Sequence, residues 1–221
     1  AAAHHGLWLH LGSTPVRGPG EDGRFRNRSL LIAPDGAVAA RYDKIHMFDV
    51  EIGAGESYRE SLAFRPGETA VTADMPGALS GARLGLTICY DVRFPALHRA
   101  LAETGAQVIT SPAAFTVPTG EAHWEVLLRA RAIETGCFVL AAAQVGTHAR
   151  RADAQGPERR TWGHSLAVAP WGEVLADAGG EGPGIVTADL DLAEVAATRA
   201  RVPALANARP FTPPRADAPA A

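Results

Sequence analysis

Hydrophobic and polar positions along the chain mark out a series of short elements separated by Gly- and Pro-rich punctuation. Residues 6–12, GLWLHLG, form a short apolar run bounded by glycines and read as a strand that should follow a helix. After a loop rich in Gly, Pro and charge at 17–28, two apolar runs (29–34 and 37–42) flank Asp35-Gly36, which predicts a hairpin. Residues 43–68 hold Gly53, Gly55, Pro66 and Gly67 without sustained periodicity and read as a long loop of the functional kind. A strand over 83–88 then runs into Cys89, and Pro95 opens a helix through Leu97, Ala100 and Leu101 that Gly105 stops.

Beyond it, residues 106–115 predict a buried strand and its loop. Apolar residues at Trp124, Leu127, Leu128, Ala132 and Ile133 predict an amphipathic helix closed by Gly136. Residues 137–145 form an almost continuous apolar run, as expected for one strand of a covered sheet. An arginine-rich loop at 150–160 is followed by a second hairpin over 165–177, a last strand at 184–191 and a short helix at 191–202. From Ala208 the chain carries four prolines and little to bury, so 208–221 reads as a tail on a single domain spanning 1–207. Hairpins alternating with strand-helix units predict an α/β fold, with sheet covered by helix and two such layers face to face.

Composition narrows the function classes. The 221 residues are 47% hydrophobic, enough for one substantial core. A formal charge of −3 with interspersed signs sets up no field to hold a phosphate backbone, and no apolar run is long enough to span a bilayer. Nucleic acid and membrane are therefore not expected partners. The two cysteines, Cys89 and Cys137, fall in different predicted strands and read as free thiols of a reducing, cytoplasmic compartment.

Three residue types carry candidate chemistry. Cys89 sits where an apolar strand breaks into a charged loop ahead of a helix, a place where main-chain N–H groups favour a thiolate and hold an oxyanion. The competing reading is a small buried hydrophobe, and for Cys137 that reading is preferred. Lys44 is the only lysine among 21 basic residues. Either one surface lysine was left by composition, or the position needs a compact ammonium that arginine does not supply. A thiol hydrolase also needs a proton acceptor, for which Glu60, His46, His123 and His164 are candidates. Their spacing with the cysteines does not resemble a zinc site.

DKIHMFD at 43–49, YRES at 58–61, GLTICYDVRFPAL at 85–97, AAFTVPTGEAHWEVLLRARAIE at 113–134 and TWGHSLAVAPWGEVLAD at 161–177 together resemble the carbon-nitrogen hydrolases of the nitrilase superfamily, in particular the Nit branch. The resemblance implies an α-β-β-α sandwich and a Glu-Lys-Cys triad acting on a small carboxylate-bearing linear amide of the deaminated-glutathione type. It implies Cys89 as nucleophile, Lys44 as triad lysine, Glu60 as a second glutamate, and the Tyr90 main-chain N–H with Lys44 as oxyanion donors. Within these motifs Arg93 is the local candidate for a carboxylate clamp, because a guanidinium offers a bidentate fork, with helix-loop anchoring through Asp91 as the competing reading; Phe115, Thr116 and His123 are candidates to line the pocket. No cofactor or metal is implied, and a homodimer or larger homo-oligomer is. The family's triad glutamate and first two strand-helix units match nothing in this sequence, so an N-terminally shortened chain is expected. A short α-ketoglutaramate-like substrate, or a non-catalytic scaffold homologue, remain alternatives.

Overall fold

Strands covered on both faces organise the molecule, which is why they read as unbroken apolar runs rather than alternating ones. The computed structural model describes residues 1–18, 22–53, 56–78, 81–149 and 158–213. A short helix, α1 (Ala2–His5), precedes an antiparallel three-stranded sheet of β1 (Leu9–Val16), β2 (Arg26–Ile32) and β3 (Val38–Asp43). The chain then makes the small ribbon β4 (Asp49–Gly53) and β5 (Glu56–Arg59), followed by a 3-10 turn at Glu60–Leu62.

The larger sheet has six strands: β6 (Val71–Asp74), β7 (Arg83–Leu86), β8 (Val108–Thr110), β9 (Phe138–Ala141), β12 (Leu166–Val168) and β13 (Val174–Asp177). Their order is β13-β12-β9-β8-β7-β6. The centre, β7-β8-β9, is parallel, and the flanking pairs are antiparallel. Its crossover helices are α2 (Pro95–Glu103) and α3 (Val117–Thr135). Between β9 and β12, β10 (Val145–His148) pairs with β11 (Arg159–Trp162); α4 (Ala193–Arg201) follows β13.

Successive residues of the central strands point to opposite layers. Leu84, Leu86, Val108 and Phe138 pack with Leu31 and Tyr42 of the three-stranded sheet. On the other face, Ile109 joins Leu97 and Leu101 of α2, and Val139 joins Trp124, Leu128 and Ala132 of α3. The sheets therefore face each other, with helices on the far side of the larger one: the nitrilase-like sandwich. Gly85 admits α2, since a Cβ there would lie 3.2 Å from the Leu101 side chain. Gly136, at φ +59, ends α3 in the left-handed conformation that relieves a helix C-terminus.

Both hairpins and the predicted helices are present, with α3 beginning at Val117, upstream of the first apolar residue of its pattern, Trp124. Three expectations differ, and one strand was missed. The 43–68 stretch contains the β4/β5 ribbon, which has little core against it to impose a period. The apolar run at 137–145 splits at Ala141, because Ala143 leaves to bridge Ala113 and Gly146 turns with φ +88 into the separate β10. Residues 184–191 form no strand, and Ile185 is left 94% exposed. Strand β6 was hidden by polar Thr72 and Asp74 at the sheet edge. Residues 150–157 of the arginine-rich loop and 214–221 of the tail lie outside the described residues. Among the described residues, no helix is long and apolar enough to cross a membrane.

Candidate active site

Lys44 leaves the end of β3 held on both sides of its peptide. Its N–H donates to the Asn27 carbonyl at 2.9 Å, and its carbonyl accepts the Gly67 N–H at 2.7 Å. A Cβ on Gly67 would stand 2.2 Å from the Asp43 carbonyl oxygen, so only glycine allows this approach. The Lys44 side chain is 2% exposed, and its ammonium is paired with Glu60 Oε2. Glu60 also accepts the Phe48 N–H at 2.7 Å and an Asn27 amide N–H at 3.3 Å. Three donors thus converge on one carboxylate, which neutralises the buried ammonium.

Cys89 begins a 3-10 turn, Cys89–Arg93, just beyond β7. Its φ is +51, a left-handed conformation uncommon for a residue with a Cβ, and strain of this type gathers at functional sites. The Cys89 N–H donates to the Pro112 carbonyl at 2.9 Å, fixing the turn onto the loop after β8. Burial pushes the thiol up, while the Lys44 charge and the Ala114 main chain pull it back down; Glu60 opposes and Arg159 assists. Cys137, by contrast, is fully buried with its sulfur 3.2 Å from the Ala106 carbonyl.

A cavity of about 690 Å³ opens beside these groups. It is lined by Lys44, Glu60, Cys89, Tyr90, Phe115 and Thr116, all singled out in the sequence. Arg93 and His123 are not among the lining residues; they meet each other, a guanidinium nitrogen lying 3.1 Å from His123 Nδ1. The Arg93 guanidinium stands 6.0 and 5.7 Å from the Tyr90 and Phe115 ring centres, behind the cavity wall. The histidine alternatives are also engaged elsewhere: His46 with Asp91 at 2.7 Å, and His164 with Asp177 at 2.9 Å. Among the described residues, Glu60 is the carboxylate of the lining, and no cluster of three or more His, Cys, Asp or Glu could hold a metal ion.

Two residues of the site carried no signal of that role in the sequence. Arg159, in β11, reaches the cavity and donates to the Ala114 carbonyl at 3.2 Å; it looked like one more charge of an arginine-rich loop. Asp91 is wholly buried within the Cys89 turn, and the sequence offered it only as an anchor for Arg93.

The profile of the carbon-nitrogen hydrolase family matches residues 1–200. The chain belongs to this family. Among relatives, a deaminated glutathione amidase of Yersinia enterocolitica is 49% identical over 188 residues, covering 85% of this chain and 60% of the relative. The carbon-nitrogen hydrolase chain thus spans about three fifths of that protein's length. Among solved structures, the Caenorhabditis elegans NitFhit protein superposes with a TM-score of 0.79 at 40% identity, covering 94% of this chain and 48% of that one. An amidase from Nesterenkonia sp. AN1 superposes with a TM-score of 0.70 at 30% identity, covering 94% of this chain and 66% of that one. A variant of that amidase carries the acetamide moiety of fluoroacetamide covalently at its active-site cysteine.

Proposed function

We propose that this carbon-nitrogen hydrolase chain supplies the nucleophile of an amidase that cleaves small carboxylate-bearing linear amides through a Cys89 thioester. The observation that carries the reading is Cys89 on a left-handed turn, in the wall of a cavity it shares with the buried Lys44–Glu60 pair. Sulfur attacks the amide carbon and a C–S bond forms as the carbonyl π electrons move to oxygen. The Lys44 ammonium and the Tyr90 main-chain N–H receive that oxyanion; a well-placed donor contributes about 3–4 kcal/mol. Collapse breaks the C–N bond, ammonia leaves with a proton from an acid, and water hydrolyses the thioester.

The acid and base of both half-reactions would be a glutamate other than Glu60, which is paired with the Lys44 ammonium and accepts the Phe48 N–H. The name of the Yersinia relative supports deaminated glutathione as the substrate. The charge of Arg159 in the cavity supports a substrate bearing a carboxylate. Val126 and Ile133, 68% and 54% exposed on α3, support a homo-oligomer joined through that helix, which a monomeric solution mass would overturn.

The test is ammonia release from deaminated glutathione and from α-ketoglutaramate, with Cys89→Ala as control and fluoroacetamide trapping read by mass. Cys89-dependent trapping with faster release from deaminated glutathione is expected of the protein that also carries the base. Trapping that persists in Cys89→Ala overturns the nucleophile assignment, and preference for α-ketoglutaramate overturns the substrate.

A further inference from the structure

Asp91 takes no part in the bond-making steps above, yet it is 0% exposed and accepts four hydrogen bonds. Oδ1 receives the His46 main-chain N–H at 3.1 Å and lies 2.7 Å from His46 Nδ1. Oδ2 receives the Tyr42 hydroxyl at 2.6 Å and the Ile88 N–H at 2.8 Å. Tyr42 and His46 stand two residues before and two residues after Lys44, and Ile88 immediately precedes Cys89. A single carboxylate therefore grips the chain on both sides of the lysine and on the near side of the cysteine. The grip is braced by the His46 ring, stacked on Phe94 with centroids 3.5 Å apart and planes within 6°.

We infer that Asp91 is a positioning residue that locks the Lys44 segment onto the Cys89 turn and so holds the ammonium at the sulfur. The inference rests on Cys89 being the nucleophile. An ionised carboxylate has about four acceptor sites, and here four donors meet it. An asparagine keeps one oxygen but presents an NH2 to the other pair of donors, so one half of the grip opens. With it open, the Lys44 segment is tied to the cysteine turn on one side alone.

The sign of the effect separates positioning from simple charge. The charged groups acting on the Cys89 thiol are Lys44, Glu60 and Arg159. If Asp91 acted on sulfur only through its own negative charge, neutralising it would favour the thiolate and speed alkylation. If it acts by placing Lys44, neutralising it weakens the cation at sulfur and slows alkylation.

The experiment is the pH dependence of Cys89 alkylation by iodoacetamide, followed by peptide mass mapping so that Cys137 is counted separately. Wild type, Asp91→Asn, Lys44→Met and the double variant are compared, with folding checked by circular dichroism and thermal melting. Asp91→Asn is expected to slow alkylation at neutral pH about tenfold, equivalent to a thiol raised by about one unit. Lys44→Met should slow it at least as much, and the double variant should be no slower than Lys44→Met, since the two act through one interaction. An unchanged profile in folded Asp91→Asn, a faster reaction, or additive slowing in the double variant overturns the inference. Should Asp91→Asn not fold, Tyr42→Phe removes one of the four bonds and must give a smaller slowing of the same sign; an unchanged rate there overturns it equally. Failure of the underlying reading looks different: Cys89 then resists alkylation in the wild type, and Lys44→Met changes nothing.

Discussion

Glu60 meets Lys44 from 16 residues further along the chain, across the β4/β5 ribbon, and the two form a buried ion pair whose acid also accepts the Phe48 N–H. Such a pair adds little to stability while intact, because desolvation offsets its attraction, but removing one partner strands a buried charge.

Glu60→Ala is accordingly expected to destabilise the fold by about 3–5 kcal/mol, the cost of an uncompensated buried ammonium. Adding Lys44→Met should return a large part of that loss. Urea denaturation of the two variants measures both quantities. Additive losses in the double variant would show that the pair is not coupled.

Cys89→Ala should leave the melting temperature near that of wild type and abolish covalent trapping by fluoroacetamide. Cys89→Gly should match it in inactivity and gain a little stability, because φ +51 costs an alanine or cysteine side chain what it does not cost glycine. Thermal melts beside mass spectrometry of the trapped protein check both.

Arg159→Met should raise KM for a carboxylate-bearing amide by about ten- to a hundredfold, as expected for loss of a charged hydrogen bond of about 1.5–3 kcal/mol. It should leave a neutral amide of the same length nearly unaffected. Kinetics on the matched pair of substrates decide it; an equal loss on both would assign Arg159 to holding the Ala114 loop instead.

His98 gives the fold an acid limit. It is fully buried on α2, and burial lowers it from 6.5 to about 4. Between those pH values the unfolded chain binds a proton that the folded chain does not. Stability from this residue is therefore constant above pH 6.5 and falls as pH drops toward 4, by roughly 3 kcal/mol in all. His10, lowered to about 4 by the same cause, adds in the same direction. Urea midpoints measured from pH 7 to pH 4 should fall, and His98→Leu should flatten the slope.

Much of the site was legible because its residues were unusual locally. A lone lysine in an arginine-rich composition, and a cysteine where an apolar strand breaks, point to themselves. Glu60, Tyr90, Phe115 and Thr116 followed from long motifs in order. Arg93 and His123 show the limit of that reasoning: they stand within or beside the same motifs, yet α3 turns His123 outward and Arg93 meets it there rather than entering the cavity. Arg159 escaped notice for the opposite reason, since nothing nearby in the sequence separates a cavity arginine from a solvated one.

The elements themselves came from period and punctuation: apolar runs with Gly and Pro at their ends determined both hairpins, α2, most of α3 and the break at Cys89 by local steric and burial rules. What tertiary structure alone decided is which of these runs share a sheet. The stretch at 137–145 is apolar but for Gln144, yet its first half buries in the sheet and its second half lines the cavity and leaves for another ribbon. The clamp at Asp91 was decided in the same way. Its donors come from residues 42, 46 and 88, and only the stacking of the two sheets brings those segments to one carboxylate, because hydrogen bonds form by proximity in space and the sequence records proximity along the chain.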